Sequence, residues 1–350
     1  MKILYLMHVS WHWIRQRPQV LAELLAQDHE VRVMHYDLFH QQHRADGAPA
    51  PAGSRVLRRL PGRIKRSLGI FERLDAAWIA QQVAAEVRRF GPELLWVTHP
   101  DFQHAVQASA VPRVVYDCMD DHLAFSAQPS PTLARAEAAL VQAAELTLFS
   151  SATLGARVCR RSAPRRTLVV NNGVDENLCR RAALPPPVNP GGLRRLGYFG
   201  TISHWFDWPL VLRCLQALPD TELHLAGPVE TEVPLHSRIH HVGILAHAQL
   251  AGFAQGCDVL VMPFKLTPMI EAVDPVKLYE YIAFGRPALA PRYAESERFA
   301  PHVALYDHAD EAIAHLREWA AHPSARTAAQ AFLEANTWQQ RGARIAAALG

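Results

Sequence analysis

Residues 271 to 287 read EAVDPVKLYEYIAFGRP. Glu271, Lys277 and Glu280 are the side chains in this stretch equipped for chemistry. Asp274 suits a helix N-cap, because its carboxylate can accept from the free amides of a first turn. Pro275 then takes the first helical position, where its missing N–H costs little. Gly285 and Pro287 end the helix. Lys277 and Glu280 are three apart and share a face near that start. A helix N-terminus carries about half a positive charge and presents unpaired amides, which suits a phosphate. Lys277 adds a full charge, and Glu280 one turn in suits sugar hydroxyls. Together they describe a grip for a nucleotide sugar. The plainer alternative is an exposed ion pair worth roughly a few tenths of a kcal/mol.

The elements that must position these groups follow from periodicity. The first half alternates short apolar runs with helical patterns. Strands are predicted at 3–8, 31–36, 94–98, 113–116, 146–149 and 167–170. Helices are predicted at 17–26, 75–89, 102–108, 132–144 and 153–160. The segment AALPPPVNPGG, residues 182–192, cannot be a regular element and reads as a linker. The alternation then restarts, with strands at 195–199, 222–225, 239–242, 259–263, 288–290 and 304–306. Helices follow at 208–218, 247–255, 275–284, 310–321 and 324–334. Apolar strands alternating with helices predict parallel sheets covered on both faces. The fold class is therefore α/β, two Rossmann-like doubly wound domains in series, 1–181 and 193–335, with a last helix at 336–350. Ligands of such sheets sit outside the carboxyl ends of strands, and two such domains facing each other would share a cleft.

Composition bounds the alternatives. A chain of 350 residues is too long for one ordinary core. Its five cysteines are scattered without CxxC spacing, so neither a disulfide frame nor a zinc site is indicated and a reducing cytoplasm fits best. The N-terminal apolar run stops at Ser10 and reads as a buried strand, and no run is long enough for a transmembrane helix. Up to Arg181 there are 23 Lys+Arg against 17 Asp+Glu, and beyond it 13 against 16. The basic excess concentrates in residues 55–74, where Arg58, Arg59, Arg63, Lys65 and Arg66 interleave with Leu60, Ile64, Leu68, Ile70 and Phe71. Such a segment suits an anionic membrane surface or a solvated helix with a core-facing stripe. The patch is local and lacks a recognition motif, so nucleic acid is not an expected partner. No P-loop, G-x-S-x-G, H-E-x-x-H or strand-linked G-x-G-x-x-G is present. By spacing alone the nineteen histidines form no metal-ligand cluster.

An ordered set of motifs now joins the opening stretch. CDVLVMPF at 257–264, a loop, and DPVKLYEYIAFGRPALAP at 274–291 resemble the donor segment of GT-B glycosyltransferases, in particular the retaining family 4 and its relatives. In that pattern an apolar strand ends in proline, a loop carries one glutamate, and a helix opens with a second before A-x-G-x-P. Glu280, Ala283, Gly285 and Pro287 match its second part. NNGVD at 171–175, LGYFGTI at 196–202, HLAGP at 224–228 and the run from Val242 to Pro263 match the other pieces in order, over most of 167–291.

The resemblance implies a glycosyltransferase that moves a sugar from a nucleotide-diphospho-sugar co-substrate to a glycan or lipid-linked acceptor, with no resident cofactor and no metal. The expected setting is bacterial envelope or exopolysaccharide synthesis, in the cytoplasm or peripheral on the inner membrane. The second domain binds the donor through Gly200, Thr201, His204, Ile244, Pro275, Lys277, Leu278 and Glu280. The first binds the acceptor, with His8, His12, Trp13, Arg15, Arg17 and His99 as candidates. Asp117, Asp120 and Asp121, in VVYDCMDDH, are candidates for binding sugar hydroxyls or orienting the acceptor, with Asp120 and Asp121 favoured; the plainer role of these carboxylates is to cap a turn. Glu271 is the upstream glutamate candidate, although eight residues separate it from Glu280 where the family has seven. GTISHWFDW also lacks the arginine and lysine that the family often places after the glycine loop, leaving His204, backbone amides and Lys277 to hold the diphosphate. The final stretch from Asn336 matches the tail that crosses back to the first domain. Retention is implied; inversion would need a base such as Asp120, Asp121 or His12. A nucleotide-sugar 2-epimerase and a non-catalytic nucleotide-sugar binding protein are the alternatives.

Overall fold

The structure is a computed structural model that describes residues 1–37, 49–60, 69–126, 128, 130–181, 193–321 and 329–350. Apolar runs form the strands because both faces of each sheet are covered. In the first unit, β1 (Lys2–Met7) and β4 (Leu94–Val97) are buried along almost their whole length, and Tyr5 stacks on Trp96 at 5.7 Å between ring centroids. With β2 (Glu30–Tyr36), β3 (Arg55–Leu57), β5 (Arg113–Cys118), β6 (Leu146–Phe149) and β7 (Thr167–Val169) they make a parallel sheet in the order β3-β2-β1-β4-β5-β6-β7. The second unit repeats the plan with β8 (Arg195–Phe199), β9 (Glu222–Ala226), β10 (Ile239–His241), β11 (Val259–Val261), β12 (Ala288–Pro291) and β13 (Ala304–Tyr306), ordered β10-β9-β8-β11-β12-β13. Strand order reverses between β1 and β4 and again between β8 and β11. Those are the switch points where such sheets leave a crevice at their carboxyl ends.

The units divide as Met1–Asn171 with Arg344–Gly350, and Asn172–Ala343. This division falls ahead of the expected 1–181, and hydrogen bonds tie Asn172 and Val174 into the second unit. Asn172 donates from its backbone N–H and from Nδ2 to Asp274, and Val174 exchanges hydrogen bonds with Asn336 and Trp338. Residues 182–192 lie outside the described residues. The helix Trp338–Leu349 ends in the first unit, where Arg113 donates to the Leu349 carbonyl at 2.7 Å and Arg344 to that of Val169 at 3.1 Å.

Three local readings change. Arg55–Leu57 is an edge strand paired with Met34–Tyr36 rather than the start of a helix. Arg59 is turned inward: its guanidinium pairs with Asp75 and Asp101, each at 3.1 Å, and lies 4.3 Å from the centroid of the Tyr36 ring. Residues 61–68, the centre of the basic segment, lie outside the described residues. Asp274 does not cap the helix that follows it. Pro275 is the N-cap of Val276–Ala283, and the buried Asp274 carboxylate instead engages the Asn172 amide, Arg298 and the Tyr279 hydroxyl. Among the described residues no helix is long and apolar enough to cross a membrane.

Candidate active site

In the second unit the chain leaves β8 into Gly200, at φ 130°, a conformation that L side chains rarely adopt. Sterics add a stronger reason for glycine here: a Cβ would lie 2.2 Å from Cε of Lys277. Lys277 therefore passes directly over the Gly200 backbone. Its Nζ stands 5.7 Å from the ring centroids of both Tyr198, in β8, and Phe264, in the loop after β11. The lysine has no ion-pair partner among the described residues. Burial pushes its pKa down, with Glu280 opposing the shift. An ammonium held in a desolvated seat beside a switch point favours an incoming anion. No side chain among the described residues caps the helix Val276–Ala283; the Leu278 N–H turns back to the Pro275 carbonyl at 3.0 Å, which leaves the amides of Val276 and Lys277 for the same anion.

Glu280 lies one turn along, with His247 Nε2 3.4 Å from its Oε1. His247 opens the helix His247–Gln255, as predicted, but its place beside Glu280 is not visible in the sequence, where it is one of nineteen histidines. Pro275 and Leu278 are buried, so Leu278 offers its backbone rather than its side chain. The Thr201 carbonyl accepts from the Tyr198 hydroxyl at 2.7 Å. His204 is exposed beside Trp205, and Ile244 is exposed in the loop after β10. Glu271 ends the short helix Pro268–Glu271, which Thr267 caps.

In the first unit, the carboxyl ends of β1, β4 and β5 bring three imidazoles together. The ring centroids of His8 and His99 are 4.9 Å apart, those of His99 and His122 4.3 Å, and those of His8 and His122 5.8 Å. Thr98 Oγ1 donates to the Leu6 carbonyl and so accepts from the His8 backbone N–H and from its Nδ1–H at 2.8 Å, leaving Nε2 of His8 as an acceptor. His99 Nδ1 accepts from the Asp101 N–H at 3.1 Å, which leaves a proton on its Nε2. Nε2 of His122 is buried without a hydrogen-bond partner. Burial lowers the pKa of His8 and His99 to about 3 and that of His122 in the same direction. The cluster is therefore neutral at physiological pH, offering donors and acceptors suited to sugar hydroxyls.

The cluster carries a pH consequence. Between about 6.5 and about 3 the unfolded chain binds protons at His8 and His99 that the folded chain refuses. Stability is complete above that window and falls as pH drops through it, by up to about 1.4 kcal/mol per pH unit for each ring. His99→Gln is expected to flatten the decline between about pH 6 and 4, as measured by urea unfolding. An unchanged slope would remove His99 from this account.

Nearby, Asp120 is half-buried, with no side-chain hydrogen bond among the described residues. Burial raises its pKa to about 6, against the opposing charge of Arg17 and with help from Asp117 and Asp121. Asp121 differs: its carboxylate is held by Arg161 at 2.9 Å and Arg157 at 3.6 Å. Arg17 is not at a surface. Its guanidinium is buried against both oxygens of Asp117 and the Val170 carbonyl, because a charge that far inside needs a full set of acceptors. Arg15 pairs with Glu23, Trp13 is buried, and His12 is exposed with its ring edge toward His35. Of the expected acceptor residues, the fold thus groups His8 and His99, adds His122, and assigns Arg17 to internal bracing.

Two parallel sheets of this order, each with a switch point at its centre, constitute the GT-B fold of glycosyltransferases, and residues 209–347 match the model of glycosyl transferase-like proteins. The chain is 25% identical over 240 residues to the putative teichuronic acid biosynthesis glycosyltransferase TuaH of Bacillus subtilis, over 63% of this chain and 60% of that one. It therefore spans about 60% of the length of that curated relative. Among solved structures it resembles sucrose-phosphate synthase from Thermosynechococcus elongatus, with a TM-score of 0.74 and 14% identity over 100% of this chain and 98% of the other. It also resembles Anabaena HepE, solved with UDP and glucose, with a TM-score of 0.68 and 18% identity over 100% and 99%.

Proposed function

We propose that this chain is a glycosyltransferase that moves a sugar from a nucleoside diphosphate donor to a glycan or lipid-linked acceptor of the bacterial envelope, acting in the cytoplasm with retention of configuration. The observation that carries this reading is Lys277, a half-buried cation with no ion-pair partner among the described residues, seated over Gly200 at a helix start that no side chain caps. Lys277 and the first-turn amides hold the diphosphate and stabilise the charge that develops on it as the glycosidic bond breaks. Glu280, steadied by His247, accepts from the ribose hydroxyls. Gly200, Thr201 and His204 flank the phosphates, and Ile244 lies against the nucleobase. Glu271 is the upstream donor-site glutamate. The neutral imidazoles of His8 and His99 hold hydroxyls of the sugar or acceptor. With departure and attack on the same face, the leaving diphosphate itself takes the acceptor proton and no dedicated base is needed. Uridine is the nucleobase to test first, because HepE is solved with UDP. The envelope setting draws on the name of the teichuronic acid relative.

Calorimetry with UDP tests the donor site. Glu280→Ala is expected to weaken binding tenfold or more, roughly 1.4 kcal/mol. Wild-type affinity in that variant would remove Glu280 from the site. One observation favours a second reading: Asp120, unpaired and with its pKa near 6, has the properties of a general base. An inverting enzyme would use it to deprotonate the acceptor. The anomeric configuration of the product separates the two, and epimerised donor formed without any acceptor would overturn both. A membrane-surface role for residues 55–74 rests on composition alone and predicts flotation with anionic liposomes; Arg59, paired internally, does not contribute to it.

A further inference from the structure

We propose that Glu222, His224 and His240 form a binding site for a transition-metal dication of the Zn2+ class, at the edge of the second sheet and separate from the donor site. Strand geometry brings the three together. Glu222 and His224 are two apart on β9 and so point to the same face. His240 on the edge strand β10 is the register partner of His224. Their ring centroids lie 5.0 Å apart. One oxygen of Glu222, Oε2, sits 3.2 Å from Nε2 of His224 and 3.6 Å from Nε2 of His240. All three atoms fall within 4.8 Å of one another.

The two separations from Glu222 Oε2 match edges of a metal tetrahedron. Bonds of about 2.0–2.1 Å from zinc to imidazole nitrogen or carboxylate oxygen, at tetrahedral angles, place neighbouring ligand atoms about 3.3–3.4 Å apart. Both measured distances from Oε2 are within a few tenths of an ångström of that value. Nε2 of His240 is buried and has no hydrogen-bond partner. Glu222 Oε2 stands 3.6 Å from it, beyond hydrogen-bond reach, and a metal between the two would engage both. Two imidazoles and one carboxylate are the borderline donor set that zinc prefers, with a fourth position left for water. Arg195, the register partner of Glu222, donates to the Gly256 carbonyl at 3.3 Å, and its charge still acts on Glu222 and His224, so a bound cation must be held against it.

The ion's role would be structural. It would clasp β10, an edge strand with a single neighbour, onto β9. Beyond these residues β9 and β10 continue to Gly227 and Gly243, which are joined by a 2.8 Å hydrogen bond, and Gly227 packs against Gly200. The clasp would thus fix the loops under the donor-site glycine without touching donor. It stands independently of the proposed transferase activity.

The test uses metal-stripped full-length protein titrated with ZnCl2 by calorimetry and with Co2+ by visible absorption. Wild type is expected to bind one equivalent, give the intense bands of tetrahedral Co2+, and melt at a higher temperature with Zn2+. Glu222→Gln and His240→Ala, both at partly exposed strand positions, are each expected to lose at least tenfold in Zn2+ affinity, with circular dichroism confirming that they fold. His99→Gln, in the other histidine cluster, is the control and keeps wild-type affinity. Equal Zn2+ affinity in wild type and in both site variants overturns the proposal. So does a loss confined to His99→Gln, or the absence of stoichiometric binding.

Discussion

Lys277→Ala is expected to lower kcat by about a hundredfold or more and to weaken UDP binding at least tenfold. The direction follows from the seat of the ammonium. It is desolvated, lies over a glycine backbone between Tyr198 and Phe264, and has no carboxylate in ion-pair reach among the described residues. Such a charge interacts weakly with substrate ground states spread over solvent and strongly with charge developing at a fixed point in a low-dielectric seat. The loss should therefore appear in kcat as well as in donor affinity. Lys277→Arg is not expected to restore activity, because the planar guanidinium replaces a compact ammonium in a space walled by backbone. Gly200→Ala tests the same contact from the other side: its Cβ would lie 2.2 Å from the lysine chain, in a backbone conformation alanine disfavours. It should reproduce the Lys277→Ala phenotype by displacing the side chain. Release of UDP in steady-state assays reads all three. A Lys277→Ala enzyme with wild-type kcat would remove the lysine from the chemistry.

The largest expected effect on stability is at Asp117. Among the described residues, Asp117→Ala leaves the Arg17 guanidinium, only 4% exposed, with the Val170 carbonyl as its remaining hydrogen-bond partner. Breaking a buried pair from one side costs about 3–5 kcal/mol, because the surviving charge stays desolvated. For a unit of this size that is a fall of roughly 6–20 °C in the melting transition of the first unit. Replacing both partners with apolar residues of similar volume, as in Arg17→Met with Asp117→Leu, should recover most of the loss. Differential scanning calorimetry of the single and double variants checks this. If Asp117→Ala alone costs under about 1 kcal/mol, the pair behaves as a surface bridge and the bracing role of Arg17 fails.

Much of the architecture was legible because it rests on short-range patterning. LYLM, LLWV and LVM are apolar on both faces, and only a parallel sheet covered on both sides accommodates such runs. The first unit's second edge was not legible. Arg55–Leu57 is three residues long, with Arg55 and Val56 exposed, and no two-residue period can be read in so short a run. The helix Val276–Ala283 was legible from proline, glycine and a lysine three residues before a glutamate, since these signals and i,i+3 geometry are local. Its neighbours were not: His247, beside Glu280, stands 33 positions earlier in the chain, and nothing in its own surroundings marks it.

By itself, then, the sequence determined the two alternating βα halves, the glycine at the end of β8 and the placement of Lys277 and Glu280 on one helical face. All of these depend on periodicities of two or 3.6 residues or on single-residue backbone preferences. The tertiary structure alone decided which charged groups are spent on the fold and which stay available. Asp274 reads locally as a cap, yet its carboxylate goes to Asn172, 102 residues away. Arg17 reads as an acceptor contact, yet it is consumed by Asp117, 100 residues away. The nineteen histidines form no cluster by spacing, yet strand order gathers His8, His99 and His122 at one sheet end, and strand register sets His224 beside His240. Side-chain partnership is fixed by which strands lie adjacent, and that adjacency is a property of the packed sheet that no local stretch of the chain encodes.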